Sequence, residues 1–540
     1  MSRNSKVILA KNIKLDKNYK SVLKYTEDQM LELMTNSNNL VFQSNTCSFI
    51  REENIINVKA TYGTCIQANY VAFQNPDYSN KWFFGFIDNI RYLNNGVCEI
   101  HFTTDIFTTW WSYWSPRACF TIREHVEDDT IGLHTVPENV ETGDYVIVDE
   151  STLNYGNFYI CVAVSEDILS QDTPAKSYNG VASGLTYIAL QNKLDVDRLI
   201  VRYTNAQKIE AIYALFMIPE GYINPIIWQQ DATGGINYMY VRSTDTPFDL
   251  GNIALGRRNI LGYGDVGYTP KNNKLLTYPF QYILADNNAG STAIYKYEYF
   301  LNPLYCEFQA YGTINPGCNI KVVPRNYEGI YSSSQYVYNY AQGINGAKIP
   351  VGGWTTDVFT NWLTQNGINI ATSIGGSALQ IAGGLALASS GAGALAGAGN
   401  ITSGIMSIAS TVGSIYQHSK APDQAEGNIN SSDIMFSLGK SGVSFYTMSI
   451  KEEMAEIIDN YFSRMGYQVN KVKVPNMQHR QNFNFVQIGA EENLAYPNNY
   501  NDIGIPASAL NQINDMFRSG ITLWNSHGNF GDYSVSNDIV

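Results

Sequence analysis

The densest group of residues able to do chemistry is Arg123-Glu124-His125-Val126-Glu127-Asp128-Asp129-Thr130. His125, Glu127, Asp128, Asp129 and the nearby His134 offer nitrogen and carboxylate ligands to a metal ion, and Glu124 with His125 could serve as an acid and a base. Neither arrangement has the spacing of a known site such as H-E-x-x-H. A third reading is a structural polar network or a contact between subunits. Gly439-Lys440-Ser441 ends like a phosphate-binding loop, but Ile434 stands where that loop requires glycine. No G-x-S-x-G elbow occurs, because Ser441 is followed by Gly442 and Val443. The last histidine, His527, lies in the loop-like Asn525-Ser526-His527-Gly528, and no signature joins it to a cysteine. No enzyme, cofactor or resident metal is expected.

Composition narrows the classes further. A chain of 540 residues has room for more than one hydrophobic core, and about 150 residues per domain predicts three or four domains. The seven cysteines, at 47, 65, 98, 119, 161, 306 and 318, include no C-x-x-C pair, which argues for reduced, buried thiols rather than a disulfide framework or a zinc ribbon. A net charge of -13 disfavours binding driven by phosphate neutralisation and suits a surface that DNA slides past. The early basic residues Arg3, Lys6, Lys11, Lys14 and Lys17 enclose only the short apolar run 7–10, so no secretory h-region is expected.

The elements that would position any site are mostly strands. Tyr, Val, Ile and Thr recur in short runs punctuated by Asn and Gly, the signature of a β-rich chain. Val71-Ala72-Phe73, Trp82-Phe83-Phe84-Gly85-Phe86-Ile87 and residues 97–104 read as strands. The last two are joined through Asn94-Asn95-Gly96, where Asn-Gly would supply positive φ values. Trp110-Trp111-Ser112-Tyr113-Trp114 is either a thick strand or the end of a helix begun near Asp105. Further strands are expected at 145–148, 159–164, 185–190, 211–218, 221–228 and 275–284, with turn-rich breaks at 264–273 and 286–291. No βαβ rhythm appears, which favours barrels or sandwiches over a doubly wound sheet.

Helices are few. Thr26 is a candidate N-cap for a short helix carrying Met30, Leu31 and Leu33. Residues 451–465 place Met454, Ile457, Ile458, Tyr461 and Phe462 at helical spacing, with Glu452, Glu453 and Glu456 between them. Gly466 stops that helix and a strand follows at 467–474. Residues 505–520 form another, with Leu510, Ile513, Met516 and Phe517 on one face and Gly520 at its end.

One long stretch interrupts this frame. Residues 358–419 contain no Asp, Glu, Lys or Arg. Their apolar part, 368–415, forms two glycine-laced halves, 368–388 and 392–412, around the turn-like Ser389-Ser390-Gly391. At about 1.5 Å per residue each half would be roughly 31 Å long as a helix, close to the hydrocarbon thickness of a bilayer. Ile368, Ile370, Ile374, Leu379, Ile381, Leu385, Leu387, Leu395, Ile401, Ile405, Met406, Ile408, Val412 and Ile415 are the candidate membrane-facing or lumen-plugging side chains. Small residues four apart, Ala382 with Ala386 and Gly393 with Gly397, would let helices pack closely. Gly375, Gly376, Gly383, Gly384, Gly397, Gly399 and Gly404 each cost a helix about 1 kcal/mol relative to Ala, which suits conditional entry into lipid better than permanent anchoring. A buried hairpin and a small-residue linker are the alternatives. Insertions of this length are often functional.

Asn69-Tyr70-Val71-Ala72-Phe73-Gln74-Asn75, Asn80-Lys81-Trp82-Phe83-Phe84-Gly85-Phe86-Ile87, Asp105-Ile106-Phe107-Thr108-Thr109-Trp110 and Arg123 through Gly132 occur in the order of one known family. So do Tyr461-Phe462, Gly466-Tyr467, Val474-Pro475-Asn476, Phe483-Asn484-Phe485-Val486 and the run from Phe517 to Trp524. In these motifs and in the place of the apolar insertion, the chain resembles the tail knob, or distal tail tube, proteins of phi29-like short-tailed bacteriophages. The similarity covers both ends, whereas residues 150–350 match only in character, and the chain is comparatively short for the family. The resemblance implies a homo-hexameric ring of β-barrel tube domains at the distal end of the virion tail. It implies six hydrophobic loops that plug the lumen and are released to form a channel in the host cytoplasmic membrane. The implied partners are upper tube or collar and tip proteins of the tail, that membrane, and DNA passing through without sequence-specific binding. The chain would be made in the host cytoplasm.

The expected fold is mainly β with minor α (α+β). Its parts are a tube domain at 1–145, middle β-rich domains at 146–350, the hydrophobic loop at 351–425 and a tube-completing α+β segment at 426–540. The expected function is a structural DNA-delivery conduit whose loops penetrate the membrane. The alternatives are a tube with a passive plug, or a receptor-binding or wall-degrading tail protein whose aromatics serve as carbohydrate platforms, although aromatics in β-rich cores more often pack.

Overall fold

Strand-forming runs in the first hundred residues close on themselves. Ser2–Ala10, Leu40–Ile50, Ile55–Val58, Val97–Thr104, Trp82–Asn94 and Tyr70–Gln74 pair antiparallel in that order, and the last returns to the first to complete a six-stranded barrel. Successive side chains point to opposite faces of a strand. Val7 and Leu9 therefore join Ile56, Val71, Phe73, Cys98, Ile100 and Phe102 in one core, while Ile8 and Ala10 pack outside with Tyr70, Ala72, Phe84 and Phe86. Helix Glu27–Thr35 covers the outer set with Met30 and Met34. Its N-cap is Thr26, in a reciprocal capping box with Gln29.

The computed structural model describes residues 2–50, 53–169, 177–178, 181–182, 185–191, 193–220, 228–233, 235–241, 248–263, 267–313, 319–329, 337–346, 351–353, 442–498 and 504–540. The chain divides into two compact units. One comprises Met1–Glu141, Pro270–Leu275 and Glu453–Val540, and the other Thr142–Thr269 and Leu276–Glu452. The N-terminal and C-terminal segments thus fold together.

Within the first unit, the barrel is joined by a five-stranded sheet ordered Ser21–Leu23, Ile521–Trp524, Phe483–Ile488, Cys119–Glu124 and Tyr467–Lys473. The first of these pairs is parallel and the rest are antiparallel. Helix Ala507–Ser519 buries Ile513, Met516 and Phe517 in a core shared with Trp110, Trp114, Val486 and Leu523. The aromatic run 110–114 takes the second of its two sequence readings. Asp105 caps helix Ile106–Trp110, accepting from the Thr108 N–H at 3.1 Å and the Tyr70 hydroxyl at 2.6 Å.

The second unit holds a six-stranded sheet built around Phe158–Val164, four-stranded sheets around Val443–Ile450 and Cys306–Thr313, and one extensive apolar core. The mainly β architecture with minor helix is therefore what the chain adopts.

Three expectations are corrected. Residues 275–284 are not one strand: Asn273–Leu276 is a 3-10 turn, and the N–H groups of Phe280 and Gln281 both donate to the Thr277 carbonyl before strand Gln281–Asp286 begins. Pro279 has no N–H to give a ladder there. The hairpin between Trp82–Asn94 and Val97–Thr104 forms, but neither Asn95 nor Gly96 takes a positive φ. Its turn is closed instead by the Asn94 side chain accepting from the Gly96 N–H at 3.0 Å. The apolar face expected on the Glu452–Met465 helix is divided, with Ile458 and Phe462 buried and Ile457 and Tyr461 exposed. The cysteines at 47, 65, 98, 119 and 306 are free thiols, and these five and Cys161 are buried. The strand expected at 221–228 lies outside the described residues apart from Trp228.

Candidate functional site

Strand Cys119–Glu124 carries the charge cluster into the middle of the first unit, and its side chains meet partners from remote segments. Arg123 pairs with Glu138 and donates to the Gly466 carbonyl at 2.6 Å. Glu138 also accepts from Lys274 at 2.6 Å and from the Gln468 N–H at 2.7 Å. Burial lowers the Lys274 ammonium pKa, and Glu138 acts against that shift. Glu124 is bound by Lys473 at 2.5 Å and by the Asn476 N–H at 2.6 Å.

His125 is fully enclosed. Its Nδ1 accepts the Phe485 N–H at 2.7 Å, which leaves Nε2 to donate to the Ser463 carbonyl at 3.1 Å. Burial pushes its pKa down to about 3, and the positive charges of Arg480 and Arg123 push the same way. A neutral imidazole with both nitrogens engaged has no free position for a metal ion or a proton in transit. Glu124, its candidate partner, bonds elsewhere.

Asp129 accepts the Asn273 N–H at 2.9 Å and the Tyr467 hydroxyl at 2.7 Å. Its pKa is raised by burial, against those hydrogen bonds, and the Tyr467 hydroxyl is raised well above its usual range by burial and by Asp129. Asp128 closes a local turn through the Thr130 N–H and hydroxyl, which lower its pKa. His134 reaches the Asp128 carbonyl at 2.6 Å, and Glu127 faces His479 at 3.6 Å with both side chains largely exposed. Among the described residues no group of three His, Cys, Asp or Glu is placed to hold a metal ion.

The cluster is thus a structural lock. It ties strand Cys119–Glu124 to the segment Pro270–Leu275, to helix Glu452–Met465 and to strand Tyr467–Lys473. Asp459 of that helix adds hydrogen bonds to the Lys271 and Asn272 N–H groups at 2.7 and 3.0 Å. Sequence inspection missed Glu138, which joins two cations and a backbone N–H. It is a lone acid in a polar loop after Pro137, and only its partners give it meaning.

The apolar candidates from Ile368 to Ile415, with Ala382, Ala386, Gly393 and Gly397, lie outside the described residues, as does Gly439-Lys440-Ser441. Their flanks are described. Val351–Gly353 pairs with Ile212–Pro219, and Val443–Ile450 sits between Tyr145–Leu153 and Gln281–Asp286. Among the described residues no helix is long and apolar enough to cross a membrane.

Comparisons with known proteins bear on both ends of the chain. A family model described as Bacillus phage phi29, tail knob protein gp9, C-terminal domain, matches residues 249–538, more than half of the chain. A model described as Caudoviral major tail protein N-terminus matches residues 3–114. The chain is 23% identical to the tail knob proteins gp9 of Bacillus phages B103 and phi29, over 98% of its own length and 97% of theirs. The solved tail knob protein gp12 of bacteriophage C1 has the same fold, with a TM-score of 0.60, 14% identity and coverage of 99% of this chain and 100% of that one. A mainly β chain with a barrel at its start, a buried polar cluster that ties its remote segments together, and these matches along its whole length belongs to the phi29 gp9 family of tail knob proteins, structural components of the phage tail.

Proposed function

We propose that the chain is one subunit of a six-membered ring forming a DNA conduit at the distal end of the tail. In this reading, stretch 358–419 plugs the lumen and is released during infection to penetrate the host cytoplasmic membrane. The observation that carries the reading is the absence of Asp, Glu, Lys and Arg from 358 to 419, in a chain that spreads 83 such residues over its remaining length. Such a stretch is too apolar to be left in water and too rich in glycine to be a permanent anchor. Strands Val351–Gly353 and Val443–Ile450, each paired within a sheet, would hold its two ends while it moves. The net charge of -13 suits a surface that repels passing DNA.

The test is dye release from liposomes by the assembled protein, comparing the full chain with a deletion of 368–412 at neutral and mildly acidic pH. Micrographs of both preparations would report ring formation and symmetry. Leakage by the full chain that is lost in a ring-forming deletion assigns penetration to this stretch. Equal leakage, or intact vesicles throughout, leaves the stretch as a passive plug, and a symmetry other than sixfold overturns the ring.

A further inference from the structure

The first unit carries a groove of about 990 Å³ between helix Glu452–Met465 and the C-terminal segment. Its lining includes Lys271, Arg464 and Arg480 against one acid, Asp538. Among the described residues none of the three cations forms an ion pair, whereas Arg123, Arg202, Lys274, Arg325 and Lys473 all do. Arg464 lies over the Tyr533 ring at 4.3 Å. Arg480 is held by the Val126 and Asn537 carbonyls, and Asp129 and Asp538 act on its charge from nearby without a direct ion pair. Beside these charges Ile457 is 61% exposed and Tyr461 38%. A positive groove with an apolar stripe, in a chain of net charge -13, fits an acidic segment with an apolar side chain.

The second unit presents such a segment. Among the described residues, strand Tyr145–Leu153 lies at the edge of its sheet, with one side paired to Val443–Ile450. A bulge between Ile147 and Asp149 interrupts the pairing, Ile147 is 49% exposed, and Asp149 and Glu150 are exposed. Among the described residues, neither these two acids nor Glu141, which precedes the strand, forms an ion pair. Asp144 is the acid of this stretch that does, with Lys451 at 3.0 Å.

We propose that the groove of one copy receives the acidic edge strand Tyr145–Leu153 of a second copy. Arg464 and Lys271 would face Asp149 and Glu150, and Ile147 would pack on Ile457 and Tyr461. The contact joins two different surfaces, so it does not stop at a dimer and builds a ring where its rotation closes. The inference rests on the ring reading above in needing a second copy, and it adds which surfaces meet.

Sedimentation of the full chain and its charge-reversed variants tests it. The pair Lys271→Glu with Arg464→Glu, and separately the pair Asp149→Lys with Glu150→Lys, should each weaken self-association at least about tenfold at low ionic strength. Mixing the two variants should restore assembly, because in an alternating ring every reversed groove meets a reversed strand. A single chain with all four changes should assemble on its own. Circular dichroism would show that each variant keeps its fold. Variants that assemble as the unmodified chain does, or folded variants that fail to recover on mixing, overturn the docking while leaving the ring intact. An unmodified chain that stays monomeric at every concentration overturns the ring and the docking together.

Discussion

His125 sits in the densest run of charge in the sequence, and its surroundings remove it from acid–base chemistry. One ring nitrogen accepts the Phe485 N–H and the other serves the Ser463 carbonyl, so the neutral form is held in one tautomer. Its folded pKa, about 3, lies below the ordinary value of 6.5. The unfolded chain therefore binds the proton first as pH falls, so stability is complete above about pH 6.5 and declines toward pH 3. The slope is about 1.4 kcal/mol per pH unit, or about 2 kcal/mol between pH 6.5 and 5 from this group alone. His125→Gln is expected to lose about 1–3 kcal/mol at pH 7, because the Phe485 N–H or the Ser463 carbonyl is left without a well-placed partner. Its stability should also fall less steeply over that pH range, by about the 2 kcal/mol that His125 supplied. Denaturant titrations at the two pH values measure both effects, and an unchanged pH slope would remove the assignment. The residue types of this site were legible in the sequence and their use was not. His125 is bonded to residues more than three hundred positions away, and Asp129 to Asn273 and Tyr467, which no local spacing reveals.

At the scale of elements, sequence signals succeeded where the cause was local. Thr26 with Gln29 starts its helix, and helix Ala507–Ser519 ends where Gly520 takes a φ of 86°. They failed at 275–284, where a turn consumes the backbone hydrogen bonds, and on the face of helix Glu452–Met465, where Ile457 and Tyr461 obey helical periodicity without being buried. Gly466 joins the two kinds of cause. It takes a φ of +64°, which ends the helix, and its Cα lies so close to the Glu124 carbonyl that an added Cβ would collide with the oxygen. The same backbone passes its own carbonyl to Arg123. Gly466→Ala would combine left-handed strain with a clash against a strand that cannot withdraw without disturbing Glu124 and His125. The expected loss is about 3 kcal/mol or more, read as a fall in the midpoint of chemical unfolding. By contrast Gly63→Ala, where nothing lies within 4 Å of the new methyl, should change stability by less than about 1 kcal/mol. Equal effects at the two positions would mean that the close approach at Gly466 is not what fixes the join.

For the whole molecule, the long apolar stretch and the folded frame pose separate stability problems. Every described strand pairs with another described strand, and the described residues of each unit bury apolar cores of their own. The described strands on either side of the stretch are Val351–Gly353, paired with Ile212–Pro219, and Val443–Ile450, which lies between Tyr145–Leu153 and Gln281–Asp286. Removing 368–412 shortens the connection but leaves fourteen residues before the excision and twenty-nine after it, counting from 354 and to 441. Loop-closure entropy varies only slowly with length, at about 0.6 kcal/mol per doubling. The deletion variant is therefore expected to retain its far-ultraviolet circular dichroism and to unfold within about 1 kcal/mol of the full chain. Its solubility should rise as well, since the apolar residues from Ile368 to Val412 are gone. A deletion that unfolds the protein would show that the stretch is part of a core, which is the reading its composition shares with a membrane-active loop. A deletion that keeps the fold separates the two, and makes the liposome comparison a test of function rather than of folding.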